Sequence, residues 1–375
     1  MPRIDIVRST PIQKTARVVQ CSGIFDIPPT DKSESSWALD WELPESWNLG
    51  LIVGPSGSGK TTLLRELFLE PPQVAWSDNR SILDDFPAAM SIKEIVELLS
   101  SVGFSSPPSW LRPYRALSNG EQFRVSLARV LAEKSDPTIF DEFTSVVDRT
   151  VARIASAAFQ KTVRRYNRQA VVASCHYDIL EWLEPDWVFE PHLNRMQRGR
   201  LWRRPEINLK IHRIHHSAWR MFRQHHYLSS NHNNAAVCFA AFWNDTPVAF
   251  SSWLALASGS VSGKREHRTV TLPDFQGVGI GNRMSEFCAA LWRSLGYRAF
   301  STTSHPAMIR HRAKSPLWNM HRAPNLGARG GRAWAEHHIN QSVAVDRLTA
   351  GFEYVGPAIP SRDTATRILS CQLHI

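Results

Sequence analysis

The stretch LGLIVGPSGSGKTTLLRELF, residues 49–68, constrains this chain more than any other. An apolar run suited to a strand leads into a glycine-rich turn, and a helix-forming segment follows at once. The turn satisfies G-x-x-x-x-G-K-[ST] with Gly54, Gly59, Lys60 and Thr61. Glycines at 54, 57 and 59 let backbone N–H groups converge on phosphate oxygens, and the helix start at Thr61 and Thr62 adds its dipole. In such a loop Lys60 reaches the β- and γ-phosphates, and the Thr61 hydroxyl ligates Mg2+. The expectation is an α/β nucleotide-handling domain.

Two later stretches narrow the class: LSNGEQFRVSLARVLAEKSDPTIFDEFTSVVDR at 117–149 and VVASCH at 171–176. Together with the glycine loop they resemble the ATPase domain of the ABC superfamily. LSNGEQ is similar to the signature motif, in the LSxGE form of soluble, non-transporter members. PTIFDE is similar to the Walker B strand. The resemblance implies that Asp141 helps hold Mg2+, that Glu142 polarises the attacking water, and that His176 contacts the γ-phosphate. SVVD at 145–148 stands where the D-loop belongs. It also implies that Ser118 and the Gly120 N–H complete the ATP site of a partner in trans. One copy of each motif then predicts a homodimer closed as an ATP sandwich. The chain departs from the pattern in two places. No glutamine stands clearly at the Q-loop, and Gly54 to Ser118 is a short span for a transporter ATPase. Phe25 is the candidate aromatic for stacking on adenine, with core packing the competing reading.

A second glycine turn, PDFQGVGIGNRM at 273–284, lies between an expected strand at 267–273 and an expected helix at 282–297. A further strand at 298–304 follows. Gly277, Gly279 and Gly281 alternate, so a G-x-G-x-x-G dinucleotide fingerprint does not fit. The run Gln276-Gly277-Val278-Gly279-Ile280-Gly281, followed by Asn282, resembles motif A of GNAT-type N-acetyltransferases. The resemblance covers residues 206–356, including a hairpin at 237–256. It implies that the turn binds the pyrophosphate of acetyl-CoA or another acyl-CoA, and that the preceding strand parts from its neighbour to admit the thioester arm. Amine attack on a thioester needs a base for the amine and an acid for the thiolate. Candidates are Tyr227, Ser304 and His305, with Glu266 and Asp274 flanking the strand.

Charge separates the halves. Residues 1–200 hold 23 Lys+Arg against 25 Asp+Glu, whereas residues 201–375 hold 21 against 9 and 13 of the 15 histidines. A basic second half suits a polyanion. The segments at 198–216 and 305–334 interleave cations with Trp202, Trp318 and Trp334, which suits phosphate contact and base stacking. The basic character and the HHYL run at 225–228 resemble the phage Mom-type DNA-modifying branch of GNAT-like enzymes. His212, His215, His216, His225 and His226 lack carboxylates at ligand spacing, which argues against a metal site. Five scattered cysteines without a CxxC pair argue against a disulfide framework. No apolar run is long enough for a membrane helix, and the N-terminus does not read as a signal peptide, so a cytoplasmic location is expected.

The fold expected is α/β in two domains: an ABC-type P-loop ATPase at 1–204, a GNAT-like mixed α/β acyltransferase domain at 205–356, and a tail at 357–375. The function expected is ATP-coupled N-acyl transfer on nucleic acid. Two alternatives stand beside it. One is a nucleic-acid-binding ATPase whose second domain is only a binding module. The other is a transporter ATPase with an accessory domain.

Overall fold

The computed structural model describes residues 3–25, 28–40, 42–68, 70–72, 74–133, 135–199, 206–226, 231–243, 245–258, 261–326 and 348–373. The chain forms two compact units. The first comprises Met1–Gln73, Lys134–Ser145 and Val163–Arg204, and the second Val74–Glu133, Val146–Thr162 and Pro205–Ile375. One crossing thus falls at 204/205, and the others fall inside the first 204 residues. The LSNGEQ stretch and the second glycine turn therefore share a unit.

The first unit is built on a five-stranded sheet. The order is Thr138–Phe140, Ala170–Ser174, Leu49–Val53, Trp187–Glu190, Arg195–Arg198, with only the last pairing antiparallel. LGLIV and AVVAS are buried at every position, as expected for central parallel strands covered on both faces. Ile52, Leu63, Leu64, Val171, Ala173, Trp187 and Phe189 form the core. The strand that ends at the first glycine loop thus lies beside the strand that leads to His176. An antiparallel pair, Arg3–Pro11 with Lys32–Asp40, forms a separate small sheet.

The second unit joins helices from the first half of the chain to an eight-stranded sheet. The order is Trp318–Leu326, Leu348–Tyr354, Arg298–Thr303, Val261–Thr271, Thr246–Ser258, Val237–Trp243, Lys210–Ile214, Gln372–Leu373. Strands 237–243 and 246–258 form the expected hairpin. Val261–Thr271 runs parallel to Arg298–Thr303, but they pair only at Gly263–Arg265 with Arg298–Phe300. Beyond Arg265 the longer strand continues without pairing to Arg298–Thr303, so the two part toward their carboxyl ends. Helix Ile280–Ser294 covers the sheet there. It buries Ile280, Met284, Cys288, Leu291 and Trp292, a spacing that places them on one face.

The expected tail at 357–375 carries regular structure over its described part, up to residue 373. Helix Arg362–Ser370, capped by the Ser361 side chain, buries Ala365 and packs Ile368 and Leu369 on the same core. Gln372–Leu373 then pairs in parallel with Arg213–Ile214 and closes that sheet edge. The reason is physical: without this cover the helix at 280–294 and the edge strand would expose apolar surface and unpaired backbone.

Candidate functional site

In the first unit the glycine loop leaves the carboxyl end of Leu49–Val53 and enters helix Lys60–Leu67 through Gly59, at φ 86° and ψ 13°. No side chain caps that helix, so its first N–H groups face the loop. Lys60 Nζ donates to the carbonyls of Gly54 at 2.9 Å and Pro55 at 2.8 Å, which folds the ammonium over the loop. Gly57 has φ 80° with open space where a Cβ would stand, and Thr61 and Thr62 occupy the first helical turn. Helix starts of this form bind phosphate.

Asp141 and Glu142 follow strand Thr138–Phe140. Glu142 has φ 48° and Thr144 φ 70°, two left-handed non-glycine residues within three positions. Such backbone costs free energy and concentrates at functional sites. The Asp141 carboxylate accepts from the Glu142 N–H at 2.8 Å. His176 follows strand Ala170–Ser174, and its Nδ1 lies 3.4 Å from Thr144 Oγ1. The structure therefore links the histidine to the segment carrying Glu142, an association that their 34-residue separation in sequence does not show. Thr61 and Asp141 offer a hydroxyl and a carboxylate, the hard oxygen donors that Mg2+ prefers. Phe25 ends helix Ala16–Phe25 and is 67% exposed. The aromatic ring on the glycine loop is instead that of Trp37, which lies against Gly59 where a Cβ would stand. No motif spacing marked Trp37 in the sequence.

In the second unit, Ser118 caps helix Asn119–Ala132 with a reciprocal box. Its hydroxyl accepts from the Glu121 N–H, and the Glu121 carboxylate accepts from the Ser118 N–H. Gly120 follows in the first turn. An ideal Cβ there would stand 3.3 Å from Val151 Cγ1 and 3.4 Å from Asp274 Oδ1. Arg124, one turn further on, is 2% exposed. Its guanidinium donates to the carbonyls of Gly103 at 2.8 Å, Asp274 at 2.8 Å, and Pro273. Burial pulls its pKa down to about 10 against the raising effect of Asp274, Glu121 and Asp148. Burial likewise raises the Asp274 carboxyl, and Asp148 and Glu121 add to the rise while Arg124 opposes it.

The second glycine turn enters helix Ile280–Ser294 through Gly279, at φ 90° and ψ 8°, again without a side-chain cap. The two helix starts share one backbone solution. Nothing lies within 4 Å of where a Cβ on Gly279 would stand, and one on Gly281 would meet only the Thr271 hydroxyl. Of the neighbouring residues, Val278 packs partly buried against the core and Asn282 is half-buried. The first half of the turn is covered. Gln276 is 8% exposed; its side chain accepts from the Ser105 N–H at 2.8 Å and donates to the Thr271 carbonyl at 3.0 Å. A Cβ on Gly277 would fall 2.7 Å from the Gly103 Cα and 2.9 Å from the Ala158 Cβ. Backbone packing, as well as any ligand, therefore requires glycine at 277.

The remaining candidates separate. His305 is buried, with Nε2 3.3 Å from the Ser105 carbonyl, and burial lowers its pKa. Ser304, beside it, is half-buried. Tyr227 lies outside the described residues, as do Trp202 and Trp334. Glu266 is no free base. Burial pushes its carboxyl up, but Arg312 and hydrogen bonds from Ser301, Thr269 and Ser285 outweigh this and hold it low. Trp318 is 6% exposed beneath the Arg312 guanidinium, 4.4 Å from the ring centroid, so it is a core residue rather than a stacking platform. Among the described residues no group of three His, Cys, Asp or Glu is placed to hold a metal ion. No described helix is long and apolar enough to cross a membrane.

A glycine loop entering an uncapped helix, an acidic pair after a parallel strand and a histidine in contact with Thr144 just past that pair define a P-loop nucleotide-binding unit. No protein-family model matches the chain. It is 33% identical over 171 residues to the lipoprotein-releasing system ATP-binding protein LolD of Maricaulis maris, covering 34% of this chain and 74% of that protein. It is 30% identical over 145 residues to the L-cystine transport system ATP-binding protein TcyN of Escherichia coli, covering 26% and 57%. Other curated relatives are matched over 18% to 59% of their own length. Among solved structures it is similar to the dimeric, ADP- and Pi-bound ATP-binding cassette MJ0796, with 16% identity and a TM-score of 0.35, covering 44% of this chain and 92% of that one. The chain belongs to the ABC-type ATPases.

Proposed function

We propose that this protein is an ATP-hydrolysing enzyme that couples its ATPase to acyl-CoA-dependent N-acyl transfer on nucleic acid. The observation that carries this reading is the pair of helix starts. Gly59 and Gly279 adopt the same left-handed entry, and neither helix has a side-chain cap. Each glycine turn follows a strand of its own unit. One chain thus offers two anion sites of different surroundings.

At the first site, Gly54, Gly57, Gly59 and Lys60 bind the phosphates, with Thr62 in the same turn. Thr61 and Asp141 would hold Mg2+, which would neutralise phosphate charge. Glu142 orients the attacking water, and His176 contacts the γ-phosphate. Ser118 and Gly120 of a second copy complete the site, so ATP closes a homodimer. The names of LolD and TcyN concern transport of other cargo, and that role is the competing reading for this chain.

At the second site, Gly279, Gly281, Val278 and Asn282 present N–H groups to a pyrophosphate, with Gln276 and Gly277 shaping the turn. The strand order and the parting of 261–271 from 298–303 support the GNAT-like reading. In this reading the acyltransferase module spans residues 205–356, within a unit that also takes in segments of the first half. The acceptor is read from charge: residues 201–375 carry a surplus of 12 positive charges. One observation favours the binding-module alternative: His305 and Glu266 are both committed to internal partners.

Mass spectrometry of total nucleosides tests the proposal. Wild type, Lys60→Ala and Gly279→Trp are expressed in one bacterial host, and DNA and RNA are digested separately. A new nucleoside lost in both variants is the expected result. Its absence in wild type from both pools, together with no binding of acetyl-CoA in calorimetry, rejects acyl transfer.

A further inference from the structure

Arg124 belongs to the helix that Ser118 and Gly120 begin, yet its guanidinium is spent on the turn that precedes the second glycine cradle. It reaches Pro273 and Asp274, and it also holds Gly103. A guanidinium that is 2% exposed and satisfies three carbonyls is costly to move. Three further contacts tie the 97–105 segment, which Arg124 also holds through Gly103, to the second half of the chain. Gln276 ties the cradle to Ser105. Gly103 and Gly277 meet backbone to backbone. Arg310, on the helix after His305, pairs with Glu97. Glu97 lies on helix Ile92–Ser101, directly before Gly103.

We propose that Arg124 is a positioning residue that makes the signature helix and the Gln276–Gly281 turn one mechanical element, so that ATP and acyl-CoA bind with linked affinity. The inference rests on the acyl-CoA reading above. ATP shared with a partner copy engages Ser118 and Gly120 and so orders the helix start. Arg124 passes that order to Pro273 and Asp274, immediately before the cradle. A cradle already ordered loses less entropy on binding, so the coupling is positive. Linkage makes it reciprocal: acyl-CoA must raise the affinity for ATP by the same factor.

Calorimetric titration of full-length Glu142→Gln protein with acetyl-CoA, with and without saturating ATP and Mg2+, measures the factor. The Glu142 change keeps ATP intact during the experiment. Acetyl-CoA is expected to bind at least about fivefold more tightly with ATP. Arg124→Met should bring the ratio to near one while both ligands still bind, and Arg124→Lys should restore part of it. Equal affinity with and without ATP in the Arg124-containing protein overturns the coupling and leaves the acyl-CoA reading standing. No binding of acetyl-CoA in either state overturns that reading and this inference with it. Should Arg124→Met fail to fold, the reverse titration serves: ATP affinity unchanged by acetyl-CoA rejects the linkage without a variant.

Discussion

Arg124 donates a hydrogen bond to the carbonyl of Asp274 at 2.8 Å, across 150 positions of sequence. The bond joins the helix Asn119–Ala132 to the turn before the second glycine run. Its first consequence is for stability. Arg124→Met removes a buried cation and leaves three carbonyls without that donor. The loss expected is about 3 kcal/mol or more. Urea unfolding of the two proteins checks it, and an unchanged midpoint would mean the bonds carry no net stability.

The two glycines of the second cradle should respond differently to alanine. Both have positive φ, which costs a side chain about 1–2 kcal/mol. Only Gly277 also has backbone and a methyl group where the Cβ would go. Gly277→Ala should therefore cost about 3 kcal/mol or more. Gly279→Ala should lose only about 1 kcal/mol, because its Cβ would meet open space. Thermal unfolding separates the two, and equal losses would contradict the packing described for Gly277.

For the first site, Lys60→Ala should abolish ATP hydrolysis, and Glu142→Gln should reduce it at least about 100-fold while ATP still binds. The proposed trans-acting arrangement gives the second variant a distinct behaviour: ATP and Mg2+ should convert it to a dimer. Light scattering reads this directly. A monomer under those conditions would reject completion of the site by Ser118 and Gly120 of another copy.

The sequence made the first site legible because its chemistry is local. Gly54 to Thr62 is one continuous turn, and Asp141, Glu142 and His176 each follow an apolar strand. The sequence predicts strands at 267–273 and 298–304, and their parting is only what the GNAT resemblance implies; the first strand begins earlier, at Val261. What stayed hidden is non-local. The three carbonyl partners of Arg124 lie 21, 149 and 150 positions away. The helix at 362–370 presents few apolar side chains, and its value appears only once the 280–294 helix is beside it. Trp318 sits among arginines in sequence, but one of them, Arg312, is buried against its ring. Charge runs in sequence do not distinguish a surface cation from a paired one.

Acid should destabilise the second unit through two histidines as well as through carboxylates. Burial and neighbouring Arg268 bring His232 down to about 4 and His267 down to about 3. The unfolded chain takes up these protons near pH 6.5, before the folded one does. Stability therefore falls as pH drops from about 6.5 through the folded values, because the unfolded state binds more protons there. Glu266 acts in the same direction at lower pH. Its folded carboxyl lies below the ordinary value, so its contribution is present above the unfolded pKa and is lost as pH falls through the folded one. Denaturation midpoints measured at several pH values should decline below about pH 6.5, and His267→Gln should flatten the upper part of that decline. A profile unchanged by the substitution would exclude His267 as a contributor.

The nucleic-acid reading makes a prediction about salt. Of the arginines in 305–334, Arg310 and Arg312 are committed to Glu97 and Glu266, so they are not available as free phosphate ligands. Binding must then come from other cations of the basic half. A contact that neutralises about six phosphates should lose roughly a thousandfold in affinity between 50 and 200 mM salt. Fluorescence anisotropy with a labelled single strand and a labelled duplex measures the slope for each. A base-modifying enzyme has to take its target out of the stack, so the single strand should bind at least as well as the duplex. Duplex binding with a steep slope and no single-strand binding would point to a backbone clamp instead. Salt-independent affinity, or none, would assign the positive charge to a solvated face and remove nucleic acid as the acceptor.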